Sequence, residues 1–157
     1  MRHTWAVLGL FSSTAALASS LDATHVPMGW RLFDVGPFSF YAPPDVKDAA
    51  RPGTPEDSYV REFAGSSMVF HFDYGHWSND LTSYPSLSSH VESIDGKAAR
   101  LVSFMGAPAH EFRFENFRAV YFAKTGKPNM RLTMTVSCAD VASCHNSDDM
   151  FRTIRFK

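Results

Sequence analysis

The segment Met68-Val69-Phe70-His71-Phe72-Asp73-Tyr74 alternates apolar and polar side chains with a period of two. Successive side chains of a strand project to opposite faces, so Phe70, Phe72 and Tyr74 share one face and His71 and Asp73 the other. A helix would scatter the three rings around its circumference. The same alternation recurs in Trp30 to Val35 and Phe38 to Tyr41, split by Gly36-Pro37, and in Ser58 to Phe63. It returns in Ala98 to Phe104, Phe117 to Ala123 and Arg131 to Val136, and Phe112 to Phe114 also reads as extended. Asp95-Gly96, placed between Val91 to Ile94 and the next strand, predicts a tight hairpin. Pro43-Pro44-Asp45 ends the early strands, residues 45–57 read as a loop or a single helical turn, and Gly126 to Asn129 turns the chain.

The period changes near the end. Asp140 is suited to cap a helix running to Phe151, with Val141, Met150 and Phe151 as apolar contacts, Arg152 in the last turn and a break near His145-Asn146. Thr153 to Phe156 then closes the chain as a short strand. The expected fold class is α+β, an antiparallel β-sheet with one or two packed helices. Only two cysteines occur, Cys138 and Cys144. They lack C-x-x-C spacing and are too few for a structural zinc site, so a disulfide tying the strand end to the helix is expected.

The first residues carry a different signal. Met1-Arg2-His3 is positively charged, Trp5 to Phe11 is mostly apolar, and Ala16-Leu17-Ala18 fits a signal-peptidase site. The apolar run is too short to span a bilayer. Residues 1–18 are therefore expected to be a signal peptide, and residues 19–157 a single globular domain in the periplasm or medium. Ser19, not a cysteine, directly follows that site, so a lipid anchor is not expected. Cleavage would lower Lys plus Arg from 15 to 14 against 16 Asp plus Glu, a net charge near −2. That balance argues against nucleic acid as a partner, and no basic run points to an anionic membrane.

Three segments carry a family resemblance: Phe38-Ser39-Phe40-Tyr41-Ala42-Pro43, Ile94-Asp95-Gly96-Lys97-Ala98-Ala99-Arg100-Leu101, and Met150-Phe151-Arg152-Thr153-Ile154-Arg155-Phe156. In their order the chain resembles the Mog1/PsbP-like group, including small exported bacterial proteins of the DcrB kind. The resemblance implies an antiparallel sheet with helices packed on it, and a protein that binds or assists other macromolecules. It supplies no catalytic constellation.

The residues themselves offer two candidate sites. His71 and Asp73 share a strand face, the beginning of a metal or acid–base site, and His90, His110 and Glu111 could add a ligand by type. The polar face of a half-covered sheet is the simpler explanation of the pair. A hydrolase would need a serine such as Ser86, Ser88 or Ser89, yet no G-x-S-x-G occurs, and phosphate-cradling glycine loops are absent. No catalytic residue, metal or cofactor is therefore expected. The second candidate is the aromatic loop after the central strand, where Tyr74, His76, Trp77 and Tyr84 stand in a polar stretch, suited either to binding or to folding back and capping the end of the sheet. The favoured reading is an exported, non-enzymatic binding or accessory protein of the bacterial cell envelope. Its partner would be a protein or other envelope macromolecule, and an immunity protein against a secreted toxin falls in the same class. The alternative is a small hydrolase or metal-dependent enzyme centred on His71 and Asp73.

Overall fold

A computed structural model describes residues 26–49, 58–82, 88–105 and 114–157. The expected export segment, Tyr84, Ser86, His110 and Glu111 lie outside them, as do the residues before Phe114 that the sequence reads as extended. The elements are β1 (Arg31–Asp34), β2 (Phe38–Ala42), β3 (Lys47–Asp48), β4 (Ser58–Ala64), β5 (Met68–Gly75), β6 (Ser88–Ile94), β7 (Lys97–Met105), β8 (Asn116–Phe122), β9 (Arg131–Cys138), α1 (Val141–Arg152) and β10 (Arg155–Phe156). The fold is α+β, mostly antiparallel sheet with one described helix.

Seven strands form one antiparallel sheet in the order β3-β4-β5-β9-β8-β7-β6. Two local units compose most of it, the hairpin β4–β5 and the meander β6–β7–β8–β9. They join along β5 and β9, where Phe70 faces Val136, Phe72 faces Met134 and Tyr74 faces Leu132. The Asp95-Gly96 turn sits as the sequence predicts, with φ of 52° and 67°. Positive φ at both central residues matches the strand twist in a two-residue hairpin, which is why this dipeptide suits it.

Cross-strand partners lie on the same face, so the registers assign the sheet two surfaces. One carries Phe63, Phe70, Phe72, Met134, Val136, Val120 and Phe122, all buried. A second sheet, β1-β2-β10, covers part of this face. Its Phe38 meets Phe72 edge-on at 4.9 Å between ring centroids, and Phe40 meets Phe70 at 5.7 Å. Each ring withdrawn from water contributes about 1.5 to 3 kcal/mol. The sequence does not reveal that β1 and β2 leave the main sheet, because their periodicity is the same in either. Their partner β10 arrives from the other end of the chain, with Arg155 opposite Ser39 and Phe156 opposite Phe38.

Helix α1 covers the rest. Ser143, Cys144, Ser147, Met150 and Phe151 are its buried residues, a spacing that places them on one helical stripe. His145 and Asn146 fall on the solvent side, so the helix runs through them without the expected break. Asp140 caps it as predicted, its Oδ1 accepting from the Ser143 N–H at 2.8 Å. Cys138 and Cys144 form a disulfide, with 5.4 Å between Cα atoms, joining the end of β9 to the first helical turns. Closing so short a loop contributes about 2.4 kcal/mol by chain-entropy reasoning. At the other end, Arg152 Nε donates to Glu92 Oε1 on β6 at 3.0 Å.

Candidate functional site

The opposite face of the large sheet is not a plain solvent surface. Leu81, Val102, Phe104, Phe117 and Ala119 form a second buried cluster there, with Phe104 stacked on Phe117 at 5.2 Å. Leu81 belongs to no strand. It reaches the cluster because residues 76–82 leave the end of β5 and cross the face as a strap.

The strap is pinned residue by residue. Buried Ser78 accepts from the Gly75 N–H at 3.1 Å and donates to the Asp73 carbonyl at 2.9 Å, which folds the chain back as it leaves β5. Thr133 on β9 donates its hydroxyl to the Asn79 carbonyl at 2.6 Å. Asn79 Oδ1 accepts from the Leu81 N–H at 2.7 Å, and Leu81 takes φ 62°. A left-handed backbone is costly for a bulky residue, on the order of 1 to 3 kcal/mol, and persists where the surroundings over-determine it. Here the Asn79 turn and the burial of the leucine side chain do so. Asp80 Oδ1 then accepts from the Thr82 hydroxyl at 2.6 Å and its N–H at 3.0 Å. Those bonds, together with the positive charges of Arg100 and Arg131, hold the Asp80 carboxyl below its ordinary range.

The four residues of the aromatic loop separate. Tyr74 is 4% exposed, on the apolar face, with its hydroxyl 3.3 Å from Thr125 Oγ1. It is a core residue, as its period-two relation to Phe70 and Phe72 requires. His76 and Trp77 stand at the start of the strap, exposed, Trp77 to 80%. Tyr84 lies outside the described residues. A ring so exposed on a chain segment held at both sides is unusual for a residue that contributes to folding, and it leaves the indole free for contact.

His71 and Asp73 share the strapped face, opposite Thr135 and Thr133 of β9. Asp73 Oδ1 is buried with no hydrogen-bond partner among the described residues. Among the described residues no three His, Cys, Asp or Glu side chains gather closely enough to hold a metal ion. His90 lies on β6, 3.5 Å from Glu92. Ser88 and Ser89 are on β6 as well, four strands from β5, a separation of about 19 Å at the usual strand spacing. The fold thus draws these serines away from His71 rather than toward it.

A cavity of about 290 Å³ opens beside the strap. Val91, Arg100 and Tyr121 stand in one row across β6, β7 and β8. Ala98 and Ala123, too small to fill the space, complete the floor, and Asp80 and Thr82 form the rim. The Arg100 guanidinium lies 5.6 Å from the centre of the Tyr121 ring. Its Nε and Nη2 are buried without a hydrogen-bond partner among the described residues. Sequence reading passed over this group. The available signal was Arg100 itself, a cation at the position where alternation with Val102 and Phe104 calls for an apolar side chain.

A smaller cavity on the helix side, about 110 Å³, is lined in part by His90, Arg118 and Asp148. Arg118 Nε sits 3.7 Å from Asp148 Oδ2. Burial pushes the Asp148 carboxyl upward, with Arg118 opposing. These groups tie α1 to the sheet.

Fold and site together define an α+β sheet protein with a strapped face that exposes a tryptophan and partly encloses an arginine. No family model matches the chain, and no curated protein does either. Among the described residues no helix is long and apolar enough to cross a membrane.

Proposed function

We propose that the chain is an exported, non-enzymatic binding or accessory protein of the bacterial cell envelope, acting through the strap that begins at Trp77. The observation that carries this reading is the 80% exposure of Trp77 on a segment pinned by Ser78 and Thr133. Holding a large apolar ring in water has no folding benefit, whereas a pre-positioned ring meets a partner at little entropic cost. The buried disulfide suits an oxidising compartment, periplasm or medium. The likeness to the Mog1/PsbP-like group, whose members mostly bind or assist macromolecules, agrees with this reading, and so would an immunity protein that blocks a secreted toxin.

Trp77→Ala tests it. Capture of an envelope partner by the exported protein should weaken by roughly thirtyfold, the effect of losing a true interface anchor. The thermal midpoint should stay within about a degree, because the side chain makes little contact with the fold. A sharp fall in midpoint with normal capture by the folded fraction would remove Trp77 from the site. Intact mass of the exported species should place its N-terminus at or near Ser19, and a retained Met1 would refute export by cleavage.

A further inference from the structure

We propose that the cavity between the strap and the β6–β7 hairpin is a binding site for a single carboxylate group carried on a small apolar body, with Arg100 as its anchor. Nε and Nη2 form one edge of a guanidinium, and their N–H bonds run nearly parallel. That edge matches the two oxygens of a carboxylate. In Arg100 both of these nitrogens are buried and lack an acceptor among the described residues. Charged donors left in that state are costly, and an arriving carboxylate removes the cost. The Tyr121 ring, 5.6 Å from the guanidinium, gives the cation a flat support.

The rest of the cavity sets the class of ligand. Its volume of about 290 Å³ lies at the low end for small-molecule sites. Val91, Ala98 and Ala123 offer an apolar floor and no hydrogen bonds from their side chains. Charge selects for one anion and no more. Arg100 and Arg131 place two positive charges near the rim and Asp80 one negative charge, so a monoanion balances the group. A dianion would meet the Asp80 carboxylate. The same carboxylate chemistry is carried by a free aliphatic or aromatic acid and by the C-terminus of a peptide. The site does not depend on the partner read from Trp77.

Isothermal titration of the disulfide-intact protein with benzoate, benzamide, sulfate, and one apolar tripeptide as free acid and as amide tests the proposal. Benzoate or the tripeptide acid should bind, and each amide should bind at least about tenfold more weakly, since it cannot pair with both donors as an anion. The tighter of the two acids then identifies the source. Arg100→Lys should cost about tenfold by replacing the fork with a point charge. Arg100→Met should abolish binding while the protein stays folded by circular dichroism, and Asp80→Asn should tighten it. No binding of either acid at tens of millimolar, equal affinity in Arg100→Met, or sulfate binding as tightly as benzoate would overturn the proposal. Partner capture lost in Trp77→Ala with no carboxylate binding would sink the cavity alone. Carboxylate binding without Trp77-dependent capture would sink the strap reading alone.

Discussion

Ser78 shows how much one side chain can organise. Its hydroxyl accepts a hydrogen bond from the Gly75 N–H and donates one to the Asp73 carbonyl, so the reversal at the end of β5 depends on it. Ser78→Ala should cost about 1 to 3 kcal/mol, the usual range when buried polar groups lose a partner. The thermal midpoint should fall by several degrees, and Trp77 fluorescence anisotropy should drop as the strap loosens. An unchanged midpoint would mean that water replaces the hydroxyl without loss. At this scale the sequence was uneven in what it disclosed. Phe70, Phe72 and Tyr74 were readable as one buried face from their spacing alone. Arg100 was not readable as a site residue, because its importance comes from Asp80 and Tyr121, neighbours that the chain supplies from two other segments.

Helix α1 is the element whose behaviour follows most directly from its residues. The Asp140 carboxylate is held below its ordinary range, first by the Ser143 N–H and then by the Ser143 hydroxyl. A depressed folded value means that the unfolded chain takes up the proton first. The contribution is therefore complete above the unfolded value, about pH 4, and is lost as pH falls through the lowered one. Asp34, Asp45 and Asp80 shift in the same direction. Asp148 shifts upward, so its contribution runs the other way and declines as pH rises through its raised value. Asp140→Asn keeps a good cap without the charge. The midpoint difference between pH 6 and pH 2.5 should be smaller in that variant than in the parent. Equal differences would show that the cap carries no acid sensitivity. The cap, the helix and the Asp95-Gly96 hairpin were legible because all their interactions lie within a few residues. The start of β6 was not: Ser88 to His90 are polar and exposed, as an edge strand allows, and the apolar signal begins only at Val91. The two-residue β3 was hidden in the same way.

At the scale of the whole molecule, the join between β5 and β9 decides stability. These two strands lie inside the large sheet, and their residues carry most of the apolar face. Their amides should exchange with solvent only by global unfolding, with those of β8 next, whereas β3 and β6 at the two edges should exchange by local opening. Native-state hydrogen exchange measures this directly. Fast exchange in β5 would contradict the sheet order.

By itself the sequence determined the strand periods, the hairpin turn, the capped helix, and the cysteine pair that bridges strand and helix. Each of these rests on side-chain spacing or turn chemistry within about a dozen residues, where the chain's own geometry permits few alternatives. Only the tertiary structure decided that β9 lies against β5, that β10 returns to complete a second sheet with β1 and β2, and that the strap brings Asp80 to Arg100. Those arrangements depend on contacts between residues far apart in the chain. Alternation says which face of a strand is apolar, but it carries no label for the neighbour that will cover it.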